Sequence, residues 1–131
     1  MKKFYIFLIG LILSMYSSFS GATPPTHIQL SYDIEAQKLY IEANHPSDKL
    51  DKHYIHKVVV VKNSQEAQEF YFTRQGEPAK FVTNLDYKAD AGDHLDVQLF
   101  CIQGGKAQSS LDISKPEEKK DNDQKVISNR T

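Results

Sequence analysis

Alternation with a period of two is the feature that most narrows what this chain can fold into. "HIQLSYD" sets Ile28, Leu30 and Tyr32 on one face. "KLYIEAN" does the same with Leu39, Ile41 and Ala43, and "HLDVQLFCIQ" with Leu95, Val97, Leu99 and Cys101. Successive side chains of an extended strand point to opposite faces, so each of these segments has one apolar face to bury. "YIHKVVVVKN" is rich in β-branched residues and long enough to cross a whole sheet. "EAQEFYFTR" and "AKFVTNLDY" flank a "QGEP" break, and "AQSSLDI" is a last, weaker strand. Turn-forming residues punctuate the series in "KNSQ", "RQGEP", "DAGD" and "QGGK". No window carries a convincing 3.6-residue apolar stripe; "NSQEAQEF" is the best helical candidate, and it is short. Seven short strands with regular turns and no internal repeat predict an all-β fold, an immunoglobulin-like antiparallel β-sandwich.

The two ends read differently. Lys2 and Lys3 precede "FYIFLIGLILSMY", an apolar run too short to span a bilayer comfortably, and "SFSGA" then puts Ser20 and Ala22 at the −3 and −1 positions of a cleavage site. This predicts a signal peptide over residues 1–22 and a periplasmic or secreted product; the alternative is an uncleaved N-terminal anchor. No cysteine stands near the cleavage point, which argues against a lipoprotein. The domain then covers residues 23–114. From Ser114 the chain runs "SKPEEKKDNDQKVISNRT", almost without apolar residues, and residues 115–131 read as a disordered charged tail.

Charge and motif content exclude several function classes. Of 16 lysines and arginines, Lys2 and Lys3 belong to the leader, which leaves 14 basic against 17 acidic residues, a net charge of −3. A nucleic-acid binder usually shows a basic stripe, so no nucleic acid is expected as a partner, and no membrane once the leader is gone. No glycine-rich phosphate loop, G-x-S-x-G elbow, C-x-x-C or H-E-x-x-H occurs. Phosphoryl transfer and serine hydrolysis therefore have no foothold.

Five histidines and a single cysteine remain. His45 ends the second strand, where Pro46 turns the chain out of it. His53 opens the third strand, so the loop between them brings two imidazoles close. Cys101, late in a strand, shares a face with Leu95, Val97 and Leu99. A lone cysteine in an exported chain is an intermolecular pairing partner, a reactive thiol, a ligand or a small core residue. Imidazole with thiolate suits iron, copper or zinc, not magnesium or calcium. By spacing alone, two surface histidines and a core cysteine explain the same pattern. His56 falls on the strand face away from His53 and His94 on the face away from Cys101; both read as solvated residues.

"NHP" followed by "DKHYI", a valine-rich strand and a late "FC" resembles the catalytic domain of superoxide reductases: neelaredoxin and the iron-binding domain of desulfoferrodoxin. The resemblance runs from about Thr26 to Ile113. It implies an immunoglobulin-like sandwich with a mononuclear non-haem iron that reduces superoxide by one electron to hydrogen peroxide. Carried over, His45 and His53 match imidazole ligands, His27 in "THIQL" matches a first-strand histidine more loosely, and Cys101 matches the axial thiolate. Asp51 and Lys52 stand where the family has a carboxylate and a lysine beside the iron. Superoxide and an external electron donor would be the partners. Two departures stand out. The family's histidine three residues after the cysteine is here Gly104, in "CIQGG", and the His45–His53 loop is longer than usual. The resemblance therefore implies a site short of one ligand, or one that has lost its metal. A weaker resemblance, to SoxZ-type carrier subunits of sulfur oxidation, implies a metal-free binding module with a protein partner.

Overall fold

The computed structural model describes residues 23–115. The expected leader, and the expected tail apart from Lys115, lie outside the described residues. Seven strands follow in order: β1 (Thr26–Asp33), β2 (Lys38–Asn44), β3 (Ile55–Lys62), β4 (Glu66–Tyr71), β5 (Lys80–Asp86), β6 (His94–Cys101) and β7 (Lys106–Asp112). They form a three-stranded sheet, β1-β2-β5, and a four-stranded sheet, β4-β3-β6-β7. Every pairing is antiparallel. The all-β sandwich expected from the alternation is the fold observed. Among the described residues no helix is long and apolar enough to cross a membrane.

The alternating faces meet between the sheets. Leu39, Ile41 and Ala43 of β2 and Phe81 and Leu85 of β5 are buried against Val58 and Val60 of β3 and Leu95, Val97 and Leu99 of β6. Ile28, Leu30 and Tyr32 of the edge strand β1 are half-buried and pack on the same core. "NSQEAQEF" is not a helix. Asn63 and Ser64 take φ of 53° and 57°, and the Gln65 N–H donates to the Lys62 carbonyl at 3.1 Å. Two consecutive residues in the left-handed region make the tight turn that matches strand twist, and the remaining residues continue as β4.

β3 carries one irregularity. Its register with β6 shifts between Ile55 and Lys57, leaving His56 on a bulge. Strict alternation would put Ile55 and Val58 on opposite faces, yet both are fully buried; the extra residue makes this consistent. His56 is correspondingly half-buried rather than solvated, its Nδ1 3.0 Å from the Phe100 carbonyl oxygen.

One end of the sandwich is latched by polar groups. The Tyr32 hydroxyl donates to the Tyr87 carbonyl at 2.7 Å and accepts from the Ala89 N–H at 3.0 Å. Nearby, His94 Nδ1 lies 2.5 Å from Asp112 on β7 and His94 Nε2 3.3 Å from Asp96. The opposite end gathers the start of β1, the end of β6 and the β2–β3, β4–β5 and β6–β7 connections, and there the candidate ligands lie.

Leu99 is fully buried at the centre of β6; Leu99→Ala should lower the unfolding free energy by about 2–5 kcal/mol through lost burial and a residual cavity, measured by denaturant melts. Hydrogen bonding to Asp112, with Asp96 adding, raises the His94 pKa from 6.5. Its stabilisation is therefore fully present below the unfolded value and fades as pH rises through the higher folded one. Asp112→Asn should flatten stability against pH above about 6.5; an unchanged slope would count against the pairing.

Candidate metal centre

His45 is the first residue beyond β2, and Pro46 carries the chain away from the sheet. The His45 N–H donates to the Ala79 carbonyl at 3.3 Å, which continues the β2–β5 ladder by one step and fixes the backbone from which the ring projects. His53 lies two residues before β3 rather than on it, and its backbone is held from both sides. Its N–H donates to the Lys49 carbonyl at 2.8 Å, and its carbonyl accepts from the buried Ser47 hydroxyl at 2.5 Å. Cys101 closes β6; its N–H donates to the Gly105 carbonyl at 2.7 Å across the β6–β7 turn.

These three residues converge. One ligand atom from each of His45, His53 and Cys101 can be chosen so that all lie within 4.8 Å of one another. Donors sharing one tetrahedral ion at about 2.0–2.3 Å stand ~3.3–3.8 Å apart, so the side chains would have to draw together by about an ångström to close the set on an ion. The two imidazole rings meet edge to face, centroids 4.7 Å apart and planes at 66°. His45 is 0% exposed and Cys101, a free cysteine, 2%. His53 is half-buried and forms the side of the cluster nearer solvent.

Gln75, in the β4–β5 connection and 1% exposed, decides the protonation of His45. Its amide nitrogen donates to the carbonyls of His45 and Glu77, both at 2.8 Å, which fixes the orientation of the amide. The amide oxygen then faces His45 Nδ1 at 2.7 Å. An oxygen can only accept, so Nδ1 carries the proton and Nε2 a free lone pair. That Nε2 is buried without a hydrogen-bond partner among the described residues. Burial pushes the His45 pKa below 6.5; the Gln75 hydrogen bond opposes the shift and the neighbouring His53 ring adds to it. A weaker pull from the Thr23 carbonyl, which faces the ring, also opposes it, though that carbonyl falls short of hydrogen-bond geometry to Nε2. The ring is thus a neutral imidazole aiming an unshared pair into the cluster, the form in which histidine binds metals. A buried polar atom left unpaired calls for an unseen water or ion, and two imidazoles with a thiol are donors for iron, copper or zinc.

The other expected residues fall outside the cluster. His27 is exposed, in the left-handed region at φ 49°, and its Nδ1 contacts Asn44 Nδ2 and Thr26 Oγ1, each at 3.3 Å. The β1–β2 register shift between Thr26 and Gln29 accompanies this conformation; the loose first-strand match is not brought to the site. Asp51 and Lys52 are exposed on the turn that delivers His53, and among the described residues their side chains make no hydrogen bond or ion pair. Gly104 has φ +102° in the β6–β7 turn, a backbone form that disfavours any side chain there. Sequence reading missed Gln75, visible only as part of a turn in "RQGEP", and Thr23, whose hydroxyl lies 3.3 Å from His53 Nε2. Neither carries a sequence signal; both act through contacts thirty positions away in the chain.

No family model, curated protein or solved structure matches this chain. The fold and the convergence of His45, His53 and Cys101 define it as an all-β sandwich with a candidate His₂Cys metal centre.

Gln75→Leu would strand the His45 Nδ1–H and the His45 carbonyl in the interior and release the Glu77 carbonyl at its edge. It should cost about 1–3 kcal/mol of stability for each buried group left unpaired and weaken metal retention roughly 10–100-fold. Thermal unfolding together with metal titration would check both; unchanged affinity in a folded variant would show that Gln75 does not orient the ligand.

Proposed function

We propose that this protein is an exported relative of the superoxide reductases, in which His45, His53 and Cys101 hold one iron ion and superoxide is reduced to hydrogen peroxide. The observation that carries the reading is the orphaned Nε2 of His45, buried and deprotonated beside a second imidazole and a buried thiol. When bound, iron supplies a one-electron couple, made more electron-rich by a thiolate ligand, and open coordination positions for a small anion.

The chain's own residues supply the rest. Gln75 presents the lone pair of His45. Burial of Cys101 and His45 keeps water from the inner side of the cluster, so a small anion has its approach past half-buried His53. Lys52, exposed on the adjoining turn, offers positive charge on that approach and draws superoxide inward through its field. Reduction of one superoxide consumes one electron and two protons. No second redox motif occurs in the sequence, so the electron comes from an external donor, and solvent at the exposed turn supplies the protons.

Gly104 favours a second reading, in which the same sandwich is a metal-free carrier-type module of the SoxZ kind. Where the complete iron pattern has a histidine, the turn here is shaped by a left-handed glycine.

The full chain, expressed with its leader and purified without oxygen, should retain about one ferrous ion per chain and develop a thiolate charge-transfer absorption on oxidation. Cys101→Ser should abolish the band and His45→Ala should lower iron retention at least ~10-fold, both without unfolding the sandwich. A chain that retains no iron, copper or zinc would sink the metal reading in favour of the carrier module. In the iron-loaded protein, Lys52→Ala should slow superoxide consumption by ~10-fold at low ionic strength and less at high salt, at unchanged iron content.

A further inference from the structure

The metal centre has three side-chain donors, and the chain enters the described fold directly over it. Thr23 touches each segment that carries one. Its hydroxyl lies 3.3 Å from His53 Nε2, and its carbonyl borders the His45 ring. A Cβ built on Gly105 would stand 2.8 Å from Pro24 N, 2.9 Å from Pro24 Cα and 3.0 Å from Thr23 C. Only a glycine lets the entering chain press so closely on this turn, whose Gly105 carbonyl also accepts from the Cys101 N–H. Pro24 restricts the conformation of Thr23, and Pro25 is buried, so little freedom remains for this segment to lose on ordering.

We infer that removal of the leader between Ala22 and Thr23 turns the Thr23 α-nitrogen into a further ligand of the metal held by His45, His53 and Cys101. The inference rests on the metal-site reading above. In the precursor this nitrogen is an amide whose lone pair is delocalised into the carbonyl, a poor donor. Hydrolysis by a leader-removing peptidase uses one water: the Ala22–Thr23 C–N bond breaks, hydroxyl goes to the Ala22 carbonyl carbon, and a proton goes to the Thr23 nitrogen. The product is a primary amine, a nitrogen donor suited to the same metals as imidazole. Covalent geometry keeps it within ~3–4 Å of the Thr23 hydroxyl, which already touches His53. Amine and carbonyl oxygen of one residue can close a five-membered chelate ring. The donor missing at Gly104 would thus come from the opposite end of the chain, and the centre would be completed only in the exported, processed protein.

Cobalt(II) is a suitable probe. The chain is expressed with its leader in an exporting host, its N-terminus read by mass spectrometry, and cobalt titrated without oxygen. A second chain carries two glycines inserted between Ala22 and Thr23, which moves the amine while leaving Thr23, Pro24 and the three side-chain ligands in place. The processed chain should begin at Thr23 and, labelled with ¹⁵N at threonine alone, show a directly coupled ¹⁵N by electron–nuclear double resonance. The insertion should remove that coupling and weaken cobalt binding at least ~10-fold, with thiolate absorption retained. A mature chain beginning elsewhere, or cobalt bound with thiolate absorption but no threonine ¹⁵N coupling, overturns the amine ligand and leaves the metal centre standing. Failure of both chains to bind cobalt through the thiolate overturns the metal centre, and the amine ligand with it.

Discussion

The hydrogen bond between Gln75 and His45 organises the functional end of the molecule. Gln75 sits in the β4–β5 connection, yet its amide reaches the side chain and carbonyl of His45, and its own N–H reaches the Leu50 carbonyl in the β2–β3 loop. One buried side chain thereby joins two loops that cross between the sheets. It also leaves the His45 ring only one tautomer. A buried polar group of this kind costs stability unless every partner is present, and here both side-chain polar atoms of Gln75 are paired. The exception is the far nitrogen of His45, which is why that atom is the most informative one in the fold.

The site lies where a β-sandwich has most freedom to vary. Its sheets are fixed by apolar pairing, while the loops at each end are free to carry function. At one end, side-chain and backbone hydrogen bonds latch the β5–β6 crossing through Tyr32. At the other, the loops converge on donors instead. The β-bulge at His56 lets Ile55 and Val58 both enter the core, with Ile55 opposite Cys101. Bulges often re-aim side chains beside active sites, and here the re-aimed residue is the neighbour of a candidate ligand.

Much of the fold was legible as pattern. Leu39, Ile41 and Ala43, and the run from Leu95 to Cys101, are inward as their alternation implied, because a strand's period admits only one assignment once one face is apolar. "NSQEAQEF" was ambiguous because turn and strand residues mixed in a short window, and the left-handed pair Asn63–Ser64 settled it. His45, His53 and Cys101 were readable as candidates from loop ends and strand faces. His27 failed because its register shift and left-handed backbone turn it away, and neither has a signature in "THIQL".

By itself, the sequence determined the strands, their inward faces, the turns between them and the donor types available, since these follow from local sterics and the period of the backbone. Tertiary structure alone decided which donors meet, which nitrogen of His45 is free, and that Gln75, Thr23 and Gly105 belong to the same place as Cys101. Those relations depend on contacts between segments far apart in the chain, brought together only when the two sheets close on their core, and no local pattern encodes them.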